Sequence, residues 1–291
     1  MTVLGDLEMA LASDGLAEIR QATESVLSRM AEHRRVEIKE LLLPLFLQAS
    51  YSSCLRADVL GNWREGGQRL WLPRFFFQRT AVKKPRIKVG IFAGIHGDEP
   101  AGIVGLVDLV RELDEDPELG RAFQLWIYPL CNPGGYLAGT RESISGKDLN
   151  REFWRGSREP EIALLEKEIL AQKFDGIIAL HSDDTSPGFY GYARGSVLAK
   201  ELLAPALDAA AEAQPRDSRH EIDGFRAVNG IVHDSYDGIL SAPPTQQPQP
   251  FEIILESPAK TPLPDQRRAF TLALKSILSE YRKFIAYGGD L

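Results

Sequence analysis

Residues 87–99 read IKVGIFAGIHGDE, an apolar run that breaks at a glycine and passes into a histidine, an aspartate and a glutamate. A short, nearly continuous apolar run predicts a strand that is buried on both faces, as in a parallel sheet. Residues 103–113 then carry apolar side chains at helical spacing. The stretch therefore predicts a strand, a turn and a helix, with polar groups at the carboxyl end of the strand, where open α/β sheets bind ligands.

The alternation of strand and helix continues beyond this unit. Strand-like runs recur at 123–130, 176–180 and 251–256, and helical patterns recur at 162–169 and 270–285. A turn-rich patch followed by the apolar run 70–77 indicates a hairpin that joins the sheet. The predicted fold is α/β, with a mixed, mostly parallel central sheet and helices on both faces.

Two parts of the chain do not follow this pattern. Apolar positions at 16–30 and an apolar stretch at 36–47 predict an N-terminal helical extension over residues 1–50, followed by one domain over residues 51–291. The extension could shield an edge of the sheet or form a contact between subunits of an oligomer. Between 214 and 250, prolines interrupt regular structure, which predicts loops near a site.

Composition excludes several classes of protein. The chain has 291 residues, 44% of them apolar, and a net charge of −7, which argues against nucleic acid as a partner. The most apolar run, 41–47, contains Pro44 and is too short to span a membrane. The first residues lack the basic region of a secretory signal, and two cysteines cannot form a disulfide framework. We expect a cytoplasmic protein with no membrane partner.

Three predicted strands end in groups that could hold or use a metal. His96 and Glu99 follow the first, His181 follows the run 176–180, and Glu256 ends the run 251–256. Each alone could be an ordinary polar strand end or helix start, but together they predict a site. Two imidazoles and one carboxylate, with an open position for water, are typical of catalytic zinc. The sequence therefore predicts one Zn²⁺ per chain, held by His96, Glu99 and His181.

Four separated segments resemble, in this order, motifs of the zinc carboxypeptidase family and its relatives, the aspartoacylases and succinylglutamate desuccinylases. GIHGDEPAG resembles the HxxE metal motif, and ALHSDD resembles the segment of the third ligand. A longer segment matches the stretch from Asn-Pro to Asp-x-Asn-Arg, and ILESP matches the segment of the catalytic glutamate. The four segments are residues 94–102, 132–153, 179–184 and 254–258. The resemblance implies a zinc carboxypeptidase-like catalytic domain over residues 51–291.

The resemblance also implies roles for the matching residues. His96, Glu99 and His181 would bind zinc, and Glu256 would activate a water molecule as the general base. Arg141 would polarise the scissile carbonyl and stabilise the oxyanion. Hydrolysis at such a site requires a group that accepts a proton from water, which is the role implied for Glu256. The zinc ion itself would polarise the carbonyl group and lower the pKa of the bound water.

Substrate recognition is implied for three further residues. Asn150 and Arg151 would bind the terminal carboxylate of the substrate, since a guanidinium binds a carboxylate through two parallel hydrogen bonds. Tyr236 is the candidate for the mobile tyrosine of the family. These assignments predict a substrate with a free carboxylate.

Three functions fit the motifs. The leading hypothesis is a metallocarboxypeptidase that hydrolyses the C-terminal amide bond of a peptide or peptide-like substrate. The alternative is a deacylase of N-acyl amino acids, because the same metal and carboxylate-binding residues would serve either substrate. A third hypothesis is a non-catalytic metal-binding module, against which the presence of Glu256, Arg141 and Arg151 argues.

Other polar residues near the motifs allow more than one interpretation. Asp183 and Asp184 follow His181 and could bind a substrate ammonium group, hold a second metal or hydrogen-bond to the metal ligands. We favour the last, since carboxylates commonly orient metal-bound histidines. The remaining histidines lack a paired carboxylate at a strand end, and we expect surface or structural roles for His33, His220 and His233.

Overall fold

The computed structural model describes residues 15–31, 36–79, 87–195 and 198–287. The helices are α1 (Gly15–Ala31), α2 (Ile38–Tyr51), α3 (Ala101–Glu115), α4 (Pro133–Ala138), α5 (Pro160–Gln172), α6 (Leu198–Ala210) and α7 (Leu263–Tyr287), with a 3₁₀ turn at Leu149–Arg151. The strands are β1 (Leu55–Glu65), β2 (Gln68–Gln78), β3 (Ile87–Ala93), β4 (Phe123–Tyr128), β5 (Gly176–Asp183), β6 (Tyr190–Gly195), β7 (Glu221–Ile222), β8 (Phe225–Val228), β9 (Ile231–Val232) and β10 (Phe251–Pro258).

All of these strands form one mixed sheet. Their order is β1-β2-β4-β3-β5-β10-β6-β9-β8-β7. The centre, β4-β3-β5-β10, is parallel, whereas the hairpin of β1 and β2 joins one edge in antiparallel pairing. On the other side, β6 pairs antiparallel with β10. The predicted α/β fold with a mixed, mostly parallel central sheet is confirmed, and the carboxyl ends of β3, β5 and β10 meet at one edge.

Helices cover both faces of the sheet, as predicted. On one face, α2, α3, α6 and α7 pack against the strands and bury residues such as Val107 and Leu274. On the other face, α5 buries Ile162 and Leu165 in a second apolar cluster. Burial of apolar surface contributes roughly 25 cal/mol per Å². The two clusters therefore stabilise the sheet from both faces.

The N-terminal segment is helical over its described residues. Helices α1 and α2 lie close to the predicted bounds, and α2 continues through Pro44. Leu41 and Leu45 are buried in the same apolar cluster as the sheet. Both helices precede the first strand, and we keep as a proposal the boundary between an N-terminal extension and a catalytic domain at residue 50. Residues 1–14 lie outside the part of the chain that the structure describes. None of the described helices is long and apolar enough to cross a membrane.

The segment between 214 and 250 contains the short strands β7, β8 and β9, with irregular structure around them. The rest of the segment follows the prediction of loops. Ser235 and Tyr236 belong to these loops and line a cavity at the carboxyl edge of the sheet. The loops therefore form part of the wall of the site described below.

Candidate metal centre and substrate pocket

The register of β5 and β10 brings two of the predicted site residues together. These strands pair in parallel, with His181 opposite Glu256. Successive side chains in a strand alternate between the faces of a sheet. Ile177 and Ala179 precede His181 on its face, Ile254 precedes Glu256, and all three lie in the second apolar cluster. The His181 and Glu256 side chains therefore emerge on the same face, at the carboxyl edge.

A tight turn after β3 directs His96 and Glu99 toward the same edge. Gly94 has φ of 60°, a conformation that favours glycine. A Cβ atom at Gly97 would lie 2.0 Å from the carbonyl carbon of Gly135 in α4, so no larger residue fits there. The backbone N–H of Glu99 donates to the carbonyl of His96 at 3.3 Å. The two glycines thus fix a turn that aims both side chains at one point.

The structure brings His96, Glu99 and His181 together in a buried cluster. His96 Nδ1 lies 2.6 Å from Glu99 Oε1, and His181 Nδ1 lies 3.0 Å from Glu99 Oε2. The two Nδ1 atoms are 3.2 Å apart. One ligand atom from each residue lies within 4.8 Å of the others, which among the described residues makes this a group able to hold a metal ion.

The charges of this cluster depend strongly on one another. Burial raises the pKa of Glu99, but the two neighbouring imidazoles outweigh it and hold that pKa well below the usual range. Burial lowers the pKa of His181, whereas Glu99 and Asp148 raise the pKa of His96 against the effect of burial. Glu99 therefore stays ionised between two nitrogens, which is the charge state that a cation requires.

Asp148 is a site residue that the sequence interpretation missed. Its Oδ1 lies 3.2 Å from His96 Nε2, and its Oδ2 accepts hydrogen bonds from Arg141 Nε and Nη2 at 3.2 and 3.1 Å. Carboxylates that contact the second ring nitrogen commonly orient metal-bound histidines. The sequence contains a signal for this role, because Asp148 is the first residue of the Asp-x-Asn-Arg segment. It positions both His96 and Arg141.

Arg141 reaches the edge of the cluster from the loop after α4. Its Nη1 lies 3.5 Å from Glu99 Oε1 and 3.2 Å from His96 Nδ1. Two nitrogens of the same guanidinium are held by Asp148. The positive charge therefore stands beside the cluster in a fixed orientation.

The residues predicted to bind a carboxylate lie in and around the 3₁₀ turn. Asn150 is buried and accepts a hydrogen bond from the backbone N–H of Leu240 at 2.8 Å. Its Nδ2 lies 3.5 Å from His181 Nε2. The guanidinium carbon of Arg151 lies 4.3 Å from the ring centre of Tyr236. A loop distant in sequence thus covers both residues.

Glu256 lies at the inner wall of the same cavity. Burial, and then the carboxylates of Glu99, Asp183 and Asp223, raise the pKa of Glu256 well above its usual range. A carboxyl group in this environment has an increased proton affinity. That property suits a group that takes up a proton during a reaction.

The favoured interpretation of the two aspartates after His181 does not agree with the structure. Asp183 accepts hydrogen bonds from the N–H and hydroxyl of Thr185, both at 2.7 Å, and from the hydroxyl of Tyr190 at 3.1 Å. Asp184 is exposed. Within the described residues, the carboxylate that contacts a histidine of the cluster from outside is Asp148.

All eight predicted site residues line one cavity of about 410 Å³. They are His96, Glu99, Arg141, Asn150, Arg151, His181, Tyr236 and Glu256. Tyr190, Tyr192 and Ile254 add apolar surface to its wall. His220 and His233 are exposed and do not line the cavity, and His33 lies outside the described residues. A cavity of this size admits a small ligand.

Solved structures have the same fold. A candidate metallopeptidase from Shewanella amazonensis SB2B superposes with a TM-score of 0.70 at 23% identity, covering 84% of this chain and 93% of its own. Carboxypeptidase A from Helicoverpa armigera has a TM-score of 0.65 at 14% identity, with 91% and 80% covered. A metallo-carboxypeptidase from Pseudomonas aeruginosa, in complex with (2-guanidinoethylmercapto)succinic acid, has a TM-score of 0.57 at 18% identity, with 78% and 65% covered. The protein therefore has a carboxypeptidase-like fold.

A family comparison matches part of the chain. Residues 85–218 match the sequence model of the succinylglutamate desuccinylase/aspartoacylase catalytic domain. The segment includes His96, Glu99 and His181, but ends before Glu256. A search among curated proteins finds no match to the chain. The resemblance to the zinc carboxypeptidase and succinylglutamate desuccinylase group, which the motifs indicated, is confirmed, and the matched family is hydrolase-like.

Proposed function

We propose that the protein is a zinc-dependent hydrolase that cleaves an amide bond in a substrate with a free carboxylate. The observation that carries this proposal is the buried cluster of His96, Glu99 and His181, with Glu256 in register beside it. Structural polar clusters also occur in proteins, but few combine two imidazoles, an ionised carboxylate and a neighbouring carboxyl of raised pKa within one cavity. The combination fits hydrolysis better than metal storage.

The geometry of the cluster fits a zinc ion. Two ligands at about 2.0–2.1 Å from a tetrahedral ion lie roughly 3.3 Å apart. The Nδ1 atoms of His96 and His181 are separated by 3.2 Å, which matches this spacing. The Glu99 oxygens lie closer to these nitrogens, at 2.6 and 3.0 Å, and would shift outward to coordinate the ion. One Zn²⁺ per chain would occupy this position. When bound, it would polarise a carbonyl group and make a water molecule more acidic.

The surrounding side chains have complementary tasks in this proposal. Glu256 would accept a proton from the attacking water at its carboxylate and return it to the leaving amine. Arg141 would stabilise the negative charge that develops on the carbonyl oxygen, since Asp148 already holds its guanidinium beside the cluster. Charge stabilisation by a group fixed in advance avoids the cost of reorganisation during the reaction.

The carboxylate of the substrate would bind at the other side of the cavity. Arg151 would contribute the paired N–H groups, with Asn150 and Tyr236 beside it. The succinic acid derivative bound to the Pseudomonas aeruginosa protein of the same fold agrees with an acidic ligand. In this proposal the scissile amide lies beside Arg141 and the cluster, and the substrate carboxylate lies at Arg151, because both arginines line the same cavity as the cluster.

Two substrate classes fit this arrangement. A peptide would make the protein a metallocarboxypeptidase, as the fold of its neighbours suggests. An N-acyl amino acid would make it a deacylase, and the family match over residues 85–218 favours this second candidate, because both activities in the family description remove an acyl group. A cavity of about 410 Å³ has room for the small substrates of either class.

A metal-exchange assay tests the proposal. The protein is stripped with a chelator, reloaded with Zn²⁺ and assayed for release of free amino acid from N-acyl amino acids and from N-blocked dipeptides with the same C-terminal residues. We expect turnover only in the zinc-loaded protein, on one of the two panels. Equal turnover without metal would refute zinc dependence. A protein that binds zinc fully and hydrolyses neither panel would instead be a metal-binding module.

A further inference from the structure

The guanidinium of Arg151 is held from two sides. Its carbon lies 4.3 Å from the ring centre of Tyr236, and its Nη1 donates to the carbonyl of Asn150 at 2.8 Å. We propose that Tyr236 is a positioning residue whose ring holds Arg151 ready for the substrate carboxylate. The inference rests on the proposed function, and it assigns to the tyrosine a task carried by its ring rather than by its hydroxyl.

The hydroxyl of Tyr236 is engaged elsewhere. It donates to the backbone carbonyl of Asp223 at 3.0 Å. The ring also packs edge-on against Phe225, with 5.0 Å between ring centres and an interplanar angle of 72°. Both partners belong to the hairpin of β7 and β8. The hairpin therefore fixes the position of the tyrosine ring, and the ring in turn fixes the guanidinium.

The turn of this hairpin has a constrained backbone. Asp223 and Gly224 have φ of 53° and 80°, and such a pair of positive φ values forms a tight two-residue turn. The side chain of Asp223 accepts a hydrogen bond from the Tyr192 hydroxyl at 2.8 Å, which ties the turn to the sheet. The turn that holds Tyr236 is therefore itself attached to β6, the strand that contains Tyr192.

Positioning of this kind has a physical advantage. A free arginine side chain loses rotational entropy when it binds a ligand, and this loss weakens binding. An aromatic ring under the guanidinium confines it in advance and leaves its edge available, because a planar cation stacks with its face. Removal of the ring should weaken carboxylate binding without changing the chemical step.

The test measures succinate binding to the zinc-loaded protein by calorimetry. A cation–π contact is stronger when it is partly desolvated than when it is fully exposed, and Tyr236 is only 39% exposed. We expect Tyr236→Leu to raise the Kd for succinate about three- to tenfold, and Tyr236→Phe to raise it less than about twofold. On any substrate found, Tyr236→Leu should raise KM and leave kcat within about twofold, since the ring acts on binding alone.

Two further variants make the test specific. Tyr51 is a matched control, because it is 42% exposed, compared with 39% for Tyr236, and lies on α2 outside the cavity. Tyr51→Leu should leave the Kd unchanged. In a background of Arg151→Ala, the additional change Tyr236→Leu should have no further effect, because the ring would have nothing left to position.

The outcomes separate this inference from the proposed function. If Tyr236→Leu binds succinate as tightly as the unchanged protein, the inference is wrong. If it weakens binding equally in the Arg151→Ala background, the tyrosine contacts the ligand directly, which also overturns the inference. If the unchanged protein shows no saturable binding, or if Arg151→Ala has no effect, the carboxylate-binding role of Arg151 fails, and the inference fails with it.

Discussion

Glu161 is a carboxyl group buried at the start of α5. This side chain lies in the first turn of α5 and is 0% exposed. Among the described residues, neither of its carboxylate oxygens has a hydrogen-bond partner. Burial, and to a lesser extent the nearby Glu65 and Glu159, raise the pKa of Glu161 from 4.5 to about 7. We expect Glu161→Gln to stabilise the protein at alkaline pH.

The sign and size follow from proton linkage. A carboxyl whose pKa rises on folding binds more protons in the native state than in the unfolded state, so stability falls as pH rises from 4.5 to about 7. At about 1.4 kcal/mol per pKa unit, the full loss above pH 7 is about 3 kcal/mol. Glu161→Gln removes this loss. Its effect should be near zero at pH 4.5 and approach about 3 kcal/mol at pH 8.

Thermal unfolding between pH 5 and pH 8 measures the effect. For a chain of this size, about 3 kcal/mol corresponds to a Tm increase of roughly 5 °C at pH 8. Glu168, on the same helix, is the matched control, because it is buried but accepts hydrogen bonds from Arg74 and Tyr128 at 3.0 and 2.9 Å. Glu168→Gln should destabilise by roughly 1–3 kcal/mol. A Glu161→Gln effect that is equal at both pH values would refute the reasoning.

Three predictions concern the proposed site. Glu256→Gln should retain zinc but lower turnover by at least about a hundredfold. Glu252→Gln, which lies further from the strand end, is the control and should retain activity. The reverse result would mean that the base is misassigned. His96→Ala should lose most bound zinc in elemental analysis, and the exposed His220→Ala should lose none; full zinc in the first variant would contradict the ligand set. Asp148→Asn should weaken zinc binding about 10- to 100-fold in a competition titration, and unchanged affinity would remove its positioning role.

The interpretation of Asp183 and Asp184 shows where sequence adjacency misleads. Residues two apart in a strand share a face but lie roughly 6.6 Å apart along it. Asp183 therefore cannot readily reach the imidazole of His181, and it bonds to Thr185 and Tyr190 instead. The carboxylate that contacts His96 comes from Asp148, which is 52 positions away in the chain. Distance along the chain was a poor guide to contact.

Local chemistry in the sequence was sufficient for the fold class and the three clustered residues. Strands buried on both faces require nearly continuous apolar runs, and the runs at 87–93 and 176–180 have this composition. Residue types able to bind zinc are few, and His96, Glu99 and His181 stand at strand ends that a parallel sheet brings to one edge. These features depend on composition and short-range order, which the sequence contains directly.

Tertiary structure alone decided the contacts between distant segments. The register that sets Glu256 opposite His181 depends on packing on both faces of β5 and β10. The contact of Tyr236 with Arg151 depends on how the hairpin of β7 and β8 folds over the cavity. Such contacts arise from the burial of many side chains at once, and no short pattern of residues encodes them. The sequence therefore specified which groups are present, and the packing of the whole chain specified which of them touch.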